Sequence, residues 1–317
     1  MTTTEQAGNW REIFGARALR TGLLVLVMAV VATGCQQLDR DRTDAVRLYN
    51  DALVDFESGA TGSAIESLEE ALEADPTFYH AAYTLGQIQH VQLNNPEDAV
   101  DNYRRALDQE PDNPRFNYRV AVALADSGEH EEALDYYREA ISLDSEDARY
   151  WFQKGLSQDA VGEYVDAIDS YTKAIELQPR LRMAADDPGG EHYFSLGDLY
   201  YRFRLYHEAS QVFENGAENN RDSARLQHGL GLAAMELDRY HEAVEAFEAA
   251  LERDPEHQAA NFSLAEAYHK SGDIDRAMEQ LEILVQPGAR GLDEAQQRAA
   301  RQMLNELQAE EEEEEEE

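Results

Sequence analysis

The sequence predicts an all-α protein in which about seven helix–turn–helix repeats stack into an α-solenoid. A line of the type AIESLEEALEADP recurs seven times, with leading alanines at positions 64, 99, 133, 167, 209, 243 and 277. The intervals are 35, 34, 34, 42, 34 and 34 residues, and a nearly constant period of this length indicates a repeat architecture. Within each line, small and aromatic side chains fall on one helical face, as in Ala99, Tyr103 and Ala106.

The chain begins with a segment that has the features of a signal peptide. Three arginines, Arg11, Arg17 and Arg20, precede the apolar run LLVLVMAVVA at residues 23–32. A signal-peptide core needs about 7 to 15 such residues, whereas a bilayer-spanning helix needs about 20. The run ends in ATGC at residues 32–35, which resembles the bacterial lipobox. The resemblance implies cleavage before Cys35, a diacylglycerol on its sulfur and an acyl chain such as palmitate on the new amino group.

Cys35 is the only cysteine in the chain, so an intrachain disulfide is excluded. We expect a lipoprotein signal peptide at residues 1–34 and the lipidated cysteine with its tether at 35–44. Several acyl chains on one residue would attach the protein stably to a membrane. Gln36 follows the cysteine, which favours the outer membrane, facing the periplasm of the bacterial cell envelope. The alternatives are an ordinary buried cysteine and a soluble cytoplasmic repeat protein.

The first helices of the repeats carry a signature that matches the second helices. Interior glycines follow a leucine or, in the fourth repeat, accompany Trp151; turn glycines separate the two helices, and prolines close four of the repeats. They are Gly86, Gly155, Gly197 and Gly231, then Gly59, Gly128, Gly162 and Gly272, then Pro76, Pro111, Pro179 and Pro255. The pattern closely resembles the tetratricopeptide repeat (TPR) family from about Ala45 to Pro287. The resemblance implies a right-handed superhelix with a concave groove.

The predicted boundaries follow from this pattern. The seven repeats occupy residues 45–78, 79–113, 114–147, 148–181, 190–223, 224–257 and 258–290. The interior glycines cost roughly 1 kcal/mol each relative to alanine, so close helix packing is expected around them. Residues 180–190 form the longest connection, interpreted as a hinge, a partner-contacting loop or a tolerated insertion. Residues 291–309 are predicted to form a capping helix, and the glutamates at 310–317 a solvated tail.

Charge excludes one class of partner. The chain has 65 acidic and 27 basic residues and a net charge of −38, whereas nucleic-acid binding needs clustered lysine and arginine. The partners are therefore expected to be proteins or peptides. Nine histidines are present, but HExxH, GxxxxGK[ST] and GxSxG motifs are absent. We predict no enzymatic activity, no cofactor and no metal site.

The candidate partner-binding residues come from the family resemblance. In this family, positions 2, 5, 9 and 12 of each first helix face the groove. Position 5 carries Tyr49, Tyr83, Tyr118, Phe152, Phe194, His228 and Phe262, and aromatic anchors are favoured at binding surfaces. Position 2 carries Arg115, Arg149 and Arg225 in three repeats, which would select an acidic peptide. The alternatives are packing between repeats for the aromatic residues and ion pairing with neighbouring carboxylates for the arginines.

Two functions follow as hypotheses. The first is a membrane-anchored scaffold or adaptor that binds protein or peptide partners for envelope assembly, whether of pili, outer-membrane proteins or the cell wall. The second is an accessory or regulatory subunit of an envelope enzyme such as a cell-wall hydrolase.

Overall fold

The computed structural model describes residues 40–181, 190–286 and 294–316, so Cys35 and the predicted signal peptide lie outside the described residues. Fifteen α-helices and one π-helical turn are present in these ranges, and no strand occurs in them. The α-helices are α1 (Arg40–Glu57), α2 (Thr61–Ala74), α3 (Tyr79–Gln87), α4 (Pro96–Gln109), α5 (Pro114–Asp126), α6 (His130–Leu143), α7 (Ala148–Val161), α8 (Tyr164–Leu181), α9 (Glu191–Arg202), α10 (Tyr206–Asn219), α11 (Ala224–Glu236), α12 (Tyr240–Arg253), α13 (Gln258–Ser271), α14 (Ile274–Val285) and α15 (Glu294–Glu316). The all-α fold class is confirmed.

The helices fall two to each predicted repeat, and α15 follows the seventh. α1 begins at Arg40, inside the range predicted as a tether. α15 continues to Glu316, so the backbone is helical through most of the glutamates that were predicted to form a solvated tail. Among the described residues, no helix combines the length and the apolar character that crossing a membrane requires.

Two compact units divide the chain, with the division inside α3 after Leu85. In the first unit α1 packs against α2, and an ion pair of 2.5 Å joins the Arg42 guanidinium to the Asp75 carboxylate. In the second unit each helix from α4 onward packs against the next one, and three pairs of successive first helices, α5 with α7, α9 with α11 and α11 with α13, also touch. First helices therefore lie beside first helices in the second unit.

Interior glycines allow the first helix of a repeat to approach an aromatic ring on the second. A Cβ atom on Gly155 would lie 2.7 Å from the ring of Tyr171, and one on Gly197 would lie 2.5 Å from Phe213. Gly86 has the same relation to Tyr103 at 2.9 Å. All three rings are almost fully buried. The close packing expected from the sequence is therefore present, and it explains why glycine on one helix accompanies an aromatic residue on the other.

A π-helical turn at Ile88–Gln92 continues α3. The amide of Leu93 donates a hydrogen bond of 3.1 Å to the carbonyl of Ile88, five residues earlier. A π-helical turn accommodates one residue more than an α-helical turn, and the interval between leading alanines is one residue longer here than in most other repeats. The extra residue is thus absorbed within a helix, not in a loop.

Candidate partner-binding site

The seven predicted position-5 residues all lie on first helices and are all partly buried. We call this set the first-helix ladder. Tyr49 on α1 and Tyr83 on α3 belong to the first compact unit. The members in the second unit are Tyr118, Phe152, Phe194, His228 and Phe262, on α5, α7, α9, α11 and α13. Each side chain therefore combines a packed part with a part that solvent or a partner can reach.

In the first unit, Tyr49 packs against the segment that precedes α3. Its ring meets Phe78 edge-on, with 5.4 Å between ring centroids. The Thr84 hydroxyl donates a hydrogen bond of 3.5 Å to the Tyr49 hydroxyl. Burial raises the pKa of Tyr49 above its usual value, and the bond from Thr84 opposes that rise. Tyr49 is therefore uncharged at neutral pH.

In the second unit, ladder rings contact two repeats at once. The first contact is with the buried ring of the same repeat's second helix, at centroid distances of 5.6 to 6.2 Å; the pairs are Tyr118–Tyr137, Phe152–Tyr171, Phe194–Phe213 and His228–Phe247. The second contact, at 4.3 to 4.8 Å, is with the following repeat in the pairs Tyr118–Tyr150 and Phe152–His192. In the pair His228–His257 it is with the residue that caps the first helix of the following repeat. These ladder rings therefore contribute to packing between repeats, and their exposed edges are also available to a partner.

Tyr150 and His192 were not singled out by the sequence patterns, although they complete these contacts. Each lies two residues before a ladder residue, and Phe116 has the same register in the third repeat. The recurrence of rings at two neighbouring positions is the signal that would have identified them.

The three predicted arginines differ in their pairing. Arg149 pairs with Asp147 at 2.5 Å, and Arg225 pairs with Glu191 at 2.8 Å while its guanidinium lies 3.5 Å above the ring of Phe194. Arg115 is exposed and forms no ion pair within the described part of the chain. Ion pairing thus accounts for two of these arginines, and the charge of Arg115 stays available.

Arg115, Arg119 and Arg149 lie near the paired rings of Tyr118 and Tyr150, whose centroids are 4.8 Å apart, and we call these three arginines the arginine cluster. The Arg119 guanidinium lies 5.8 Å from the Tyr118 ring. Burial raises the pKa of Tyr118, and Arg119 and Arg149 oppose the rise. Burial, with Asp147 and Asp144, raises the pKa of Tyr150 to about 12, and Arg149 and Arg115 oppose the rise. Arginine and aspartate side chains therefore both lie near the two rings.

His228 is the ladder member whose charge state depends most on its surroundings. Burial, and secondarily the neighbouring His257, lower the pKa of His228 to about 4. Its Nε2 is buried and has no hydrogen-bond partner in the described residues. The ladder is therefore uncharged at this point near neutral pH. No group of three or more histidine, cysteine, aspartate or glutamate side chains suited to a metal ion occurs in the described ranges.

Comparison with known proteins agrees with the observed architecture. A family model described as Tetratricopeptide repeat matches residues 89–148, 133–188 and 228–291, which together span just over half of the chain. Protein KINESIN LIGHT CHAIN-RELATED 3 of Arabidopsis thaliana is 32% identical over 126 residues, or 33% of this chain and 19% of the relative. The matched part is thus about a fifth of that protein's length.

Solved structures show the same fold. A tetratricopeptide repeat protein from Parabacteroides merdae superposes with a TM-score of 0.55 at 17% identity, covering 84% of this chain and 99% of its own. YrrB, described as a TPR protein with an unusual peptide-binding site, superposes with a TM-score of 0.52 at 22% identity, covering 64% of this chain and 99% of its own.

Proposed function

Because the chain belongs to the tetratricopeptide repeat family, whose members are helical scaffolds suited to protein–protein interaction, we propose that it is a membrane-anchored adaptor that binds protein or peptide partners on its first helices. The observation that carries the proposal is the partly exposed first-helix ladder with the arginine cluster beside it. The partners serve envelope assembly, whether of pili, outer-membrane proteins or the cell wall.

The chemistry of the partner follows from the arginine cluster. The cluster offers Arg115, which forms no ion pair among the described residues, next to the aromatic surface of Tyr118 and Tyr150. A peptide with a carboxylate beside an apolar side chain matches both features, and charge complementarity favours specificity more than affinity. Because the chain has a net charge of −38, an acidic segment of a partner is attracted to the arginine cluster and repelled by the rest of the surface. YrrB's described peptide-binding site is a precedent for this use of the fold.

The lipid on Cys35 locates the adaptor. Four residues, 36–39, separate Cys35 from the start of α1 at Arg40, and the five steps from Cys35 to Arg40 span at most about 18 Å at 3.3–3.6 Å per residue. The first repeat would therefore work close to the membrane surface. Growth with radiolabelled palmitate tests the anchor: label is expected on the wild type and lost in Cys35→Ser. An unlabelled wild type would show that the protein has no lipid anchor.

Partner capture tests the binding face. Membrane partners are cross-linked to the wild type, to Arg115→Glu on α5 and to the matched control Arg105→Glu on α4. Arg105 is also exposed and forms no ion pair among the described residues, but it lies on a second helix. We expect Arg115→Glu to reduce recovery of the partners by about tenfold, since reversing a charge that contacts a partner costs of order 1–2 kcal/mol, and Arg105→Glu to recover them normally.

The recovered proteins decide between the two hypotheses. Recovery of assembly components supports the adaptor, whereas recovery of an enzyme whose rate changes on binding supports an accessory subunit, for example of a cell-wall hydrolase. Equal recovery with Arg115→Glu and Arg105→Glu would show that the first-helix face is not the binding site.

A further inference from the structure

We propose that a second surface, on the turns of the fourth and fifth repeats, docks a basic amphipathic helix of another protein. The surface consists of Tyr164, Val165, Phe203 and Leu205, and we call it the turn patch. All four residues lie in the second compact unit. The proposal is independent of the first-helix ladder, because none of the four is a ladder residue.

The turn patch exposes large apolar side chains next to each other. The exposed fractions are 39% for Tyr164, 76% for Val165, 48% for Phe203 and 42% for Leu205. The rings of Tyr164 and Phe203 meet edge-on with 5.0 Å between centroids, which joins the turn of one repeat to the turn of the next. Single exposed apolar residues are ordinary, but contiguous ones at successive turns indicate an interaction surface.

The other repeats show that the scaffold does not require an apolar side chain at the positions of Val165 and Leu205. At the position of Val165 they carry glycine, glutamate, histidine or aspartate; the residues are Gly62, Glu97, Glu131, His207, His241 and Asp275. At the position of Leu205 they carry mostly polar residues; these are Ala60, Asn95, Glu129, Glu163, Arg239 and Asp273. Six repeats fold with a small or polar side chain at each place, so the apolar pair needs an explanation outside the repeat fold.

The turn that presents Phe203 and Leu205 departs from the preferred sequence. Arg204 between them has a φ of +60°, and four of the other repeats have glycine at this position. Arginine in the left-handed region is disfavoured by its Cβ. The amides of Arg204 and Leu205 each donate a hydrogen bond of 2.9 Å to helix α9, to the carbonyls of Tyr201 and Tyr200. The patch is thus held in place at a local cost in backbone energy.

Charge around the turn patch identifies the kind of partner. Exposed carboxylates border it, namely Glu163, Asp166 and Glu208. The neighbouring Arg202 is neutralised by Asp159 at 2.6 Å and Asp198 at 3.2 Å, which leaves Arg204 as the cation without an ion pair among the described residues nearby. An apolar centre with a net acidic border fits a helix whose apolar face is flanked by lysine or arginine.

The same charges disfavour two other occupants. A second copy of this chain carries the same net charge of −38 and the same acidic border, so the two would repel each other. An anionic membrane surface would be repelled for the same reason.

The test uses the full chain and two synthetic peptides. One is a helix-forming peptide of 14 residues with a leucine and phenylalanine stripe bordered by lysines, and the other has glutamates in place of the lysines. Affinity is measured by fluorescence anisotropy. The test variant is Val165→Gln with Leu205→Asn, which gives each place a polar side chain as in other repeats. The control is Val54→Gln on α1, where the valine is 65% exposed.

We expect the lysine peptide to bind the wild type and Val54→Gln with similar affinity. It should bind the double variant at least about tenfold more weakly, because burial of two aliphatic side chains contributes more than 1.4 kcal/mol to the binding free energy. Unchanged affinity in the double variant would overturn the proposal, as would equal binding of the glutamate peptide.

Two further measurements cover the other occupants. A dimer in analytical ultracentrifugation that disappears in the double variant would assign the turn patch to self-association and overturn the proposal. Flotation of Cys35→Ser with phosphatidylglycerol vesicles, abolished by the double variant, would assign it to the membrane and overturn it likewise. Arg115→Glu is expected to leave lysine-peptide binding unchanged, which separates this surface from the first-helix face.

Discussion

Replacing His228 by phenylalanine tests whether a buried neutral histidine makes the protein sensitive to acid. The other six ladder positions carry tyrosine or phenylalanine, so a phenylalanine ring fits this position. It keeps the contact with Phe247, whose ring centroid lies 5.6 Å from that of His228 in the wild type. The Nε2 atom that is lost has no partner in the described residues. We therefore expect His228→Phe to be about 1 kcal/mol more stable than the wild type at pH 7.5, because a buried unsatisfied polar atom is removed.

The pH dependence of stability provides a larger expected difference between wild type and His228→Phe. The folded-state pKa of His228 is about 4 and the ordinary value is 6.5. As the pH falls, the unfolded chain takes up the proton first, so this contribution to stability is present above about pH 6.5 and is lost as the pH falls toward 4. With 1.36 kcal/mol per pKa unit, the loss reaches about 2.5 kcal/mol at pH 4.5.

The assay is urea unfolding followed by circular dichroism at pH 7.5, 6.0, 5.0 and 4.5. Carboxylates titrate in both proteins, so the difference between wild type and His228→Phe isolates the histidine. The stability lost between pH 7.5 and 4.5 is expected to be about 2.5 kcal/mol smaller in His228→Phe. The control is His241→Gln at an exposed histidine, which should keep the wild-type pH dependence. Because repeat arrays can unfold in parts, hydrogen exchange of the α11 amides provides the local free energy.

A parallel loss of stability in wild type and His228→Phe between pH 7.5 and 4.5 would contradict this prediction. That result would mean that His228 is protonated in the folded state near its ordinary pKa and is not held neutral by burial.

Three further predictions concern packing and backbone energy, each measured by urea unfolding. Tyr171→Phe should stabilise the protein by about 1 kcal/mol, because the Tyr171 hydroxyl is buried with no partner in the described residues; a loss of similar size would reveal a hydrogen bond to that hydroxyl. Gly155→Ala should destabilise the protein by about 1 kcal/mol, since overpacking against Tyr171 costs roughly 1–3 kcal/mol and the higher helix propensity of alanine offsets about 1 kcal/mol of that cost. The control Gly62→Ala, where nothing lies within 4 Å of the added Cβ, should stabilise the protein instead. Equal effects of the two substitutions would contradict the packing argument. Arg204→Gly should stabilise by up to about 1 kcal/mol, because glycine adopts the left-handed conformation freely, and a clear loss would show that the arginine side chain has a structural role.

Local patterns were enough to predict the repeat architecture. An interior glycine on the first helix packs against an aromatic residue on the second in four repeats, as at Gly155 and Tyr171, so the close packing expected from the glycine positions is present. The positions of the first-helix ladder follow from the same period. The lipid on Cys35 is a prediction that only the sequence supports, since this residue lies outside the described part of the chain.

The repeated sequence by itself determined that the chain folds as stacked helix pairs, because each pair must bury one apolar face against the next. Tertiary structure decided which of the similar-looking residues are free to act. Arg225 and Arg115 share one position in their repeats, yet Arg225 is paired with Glu191, 34 residues earlier, and Arg115 is not paired among the described residues. Likewise, only the stacking of two turns places Tyr164 beside Phe203, 39 residues later. Such contacts depend on how closely neighbouring repeats approach each other, and the repeated sequence pattern does not specify that distance for any single residue.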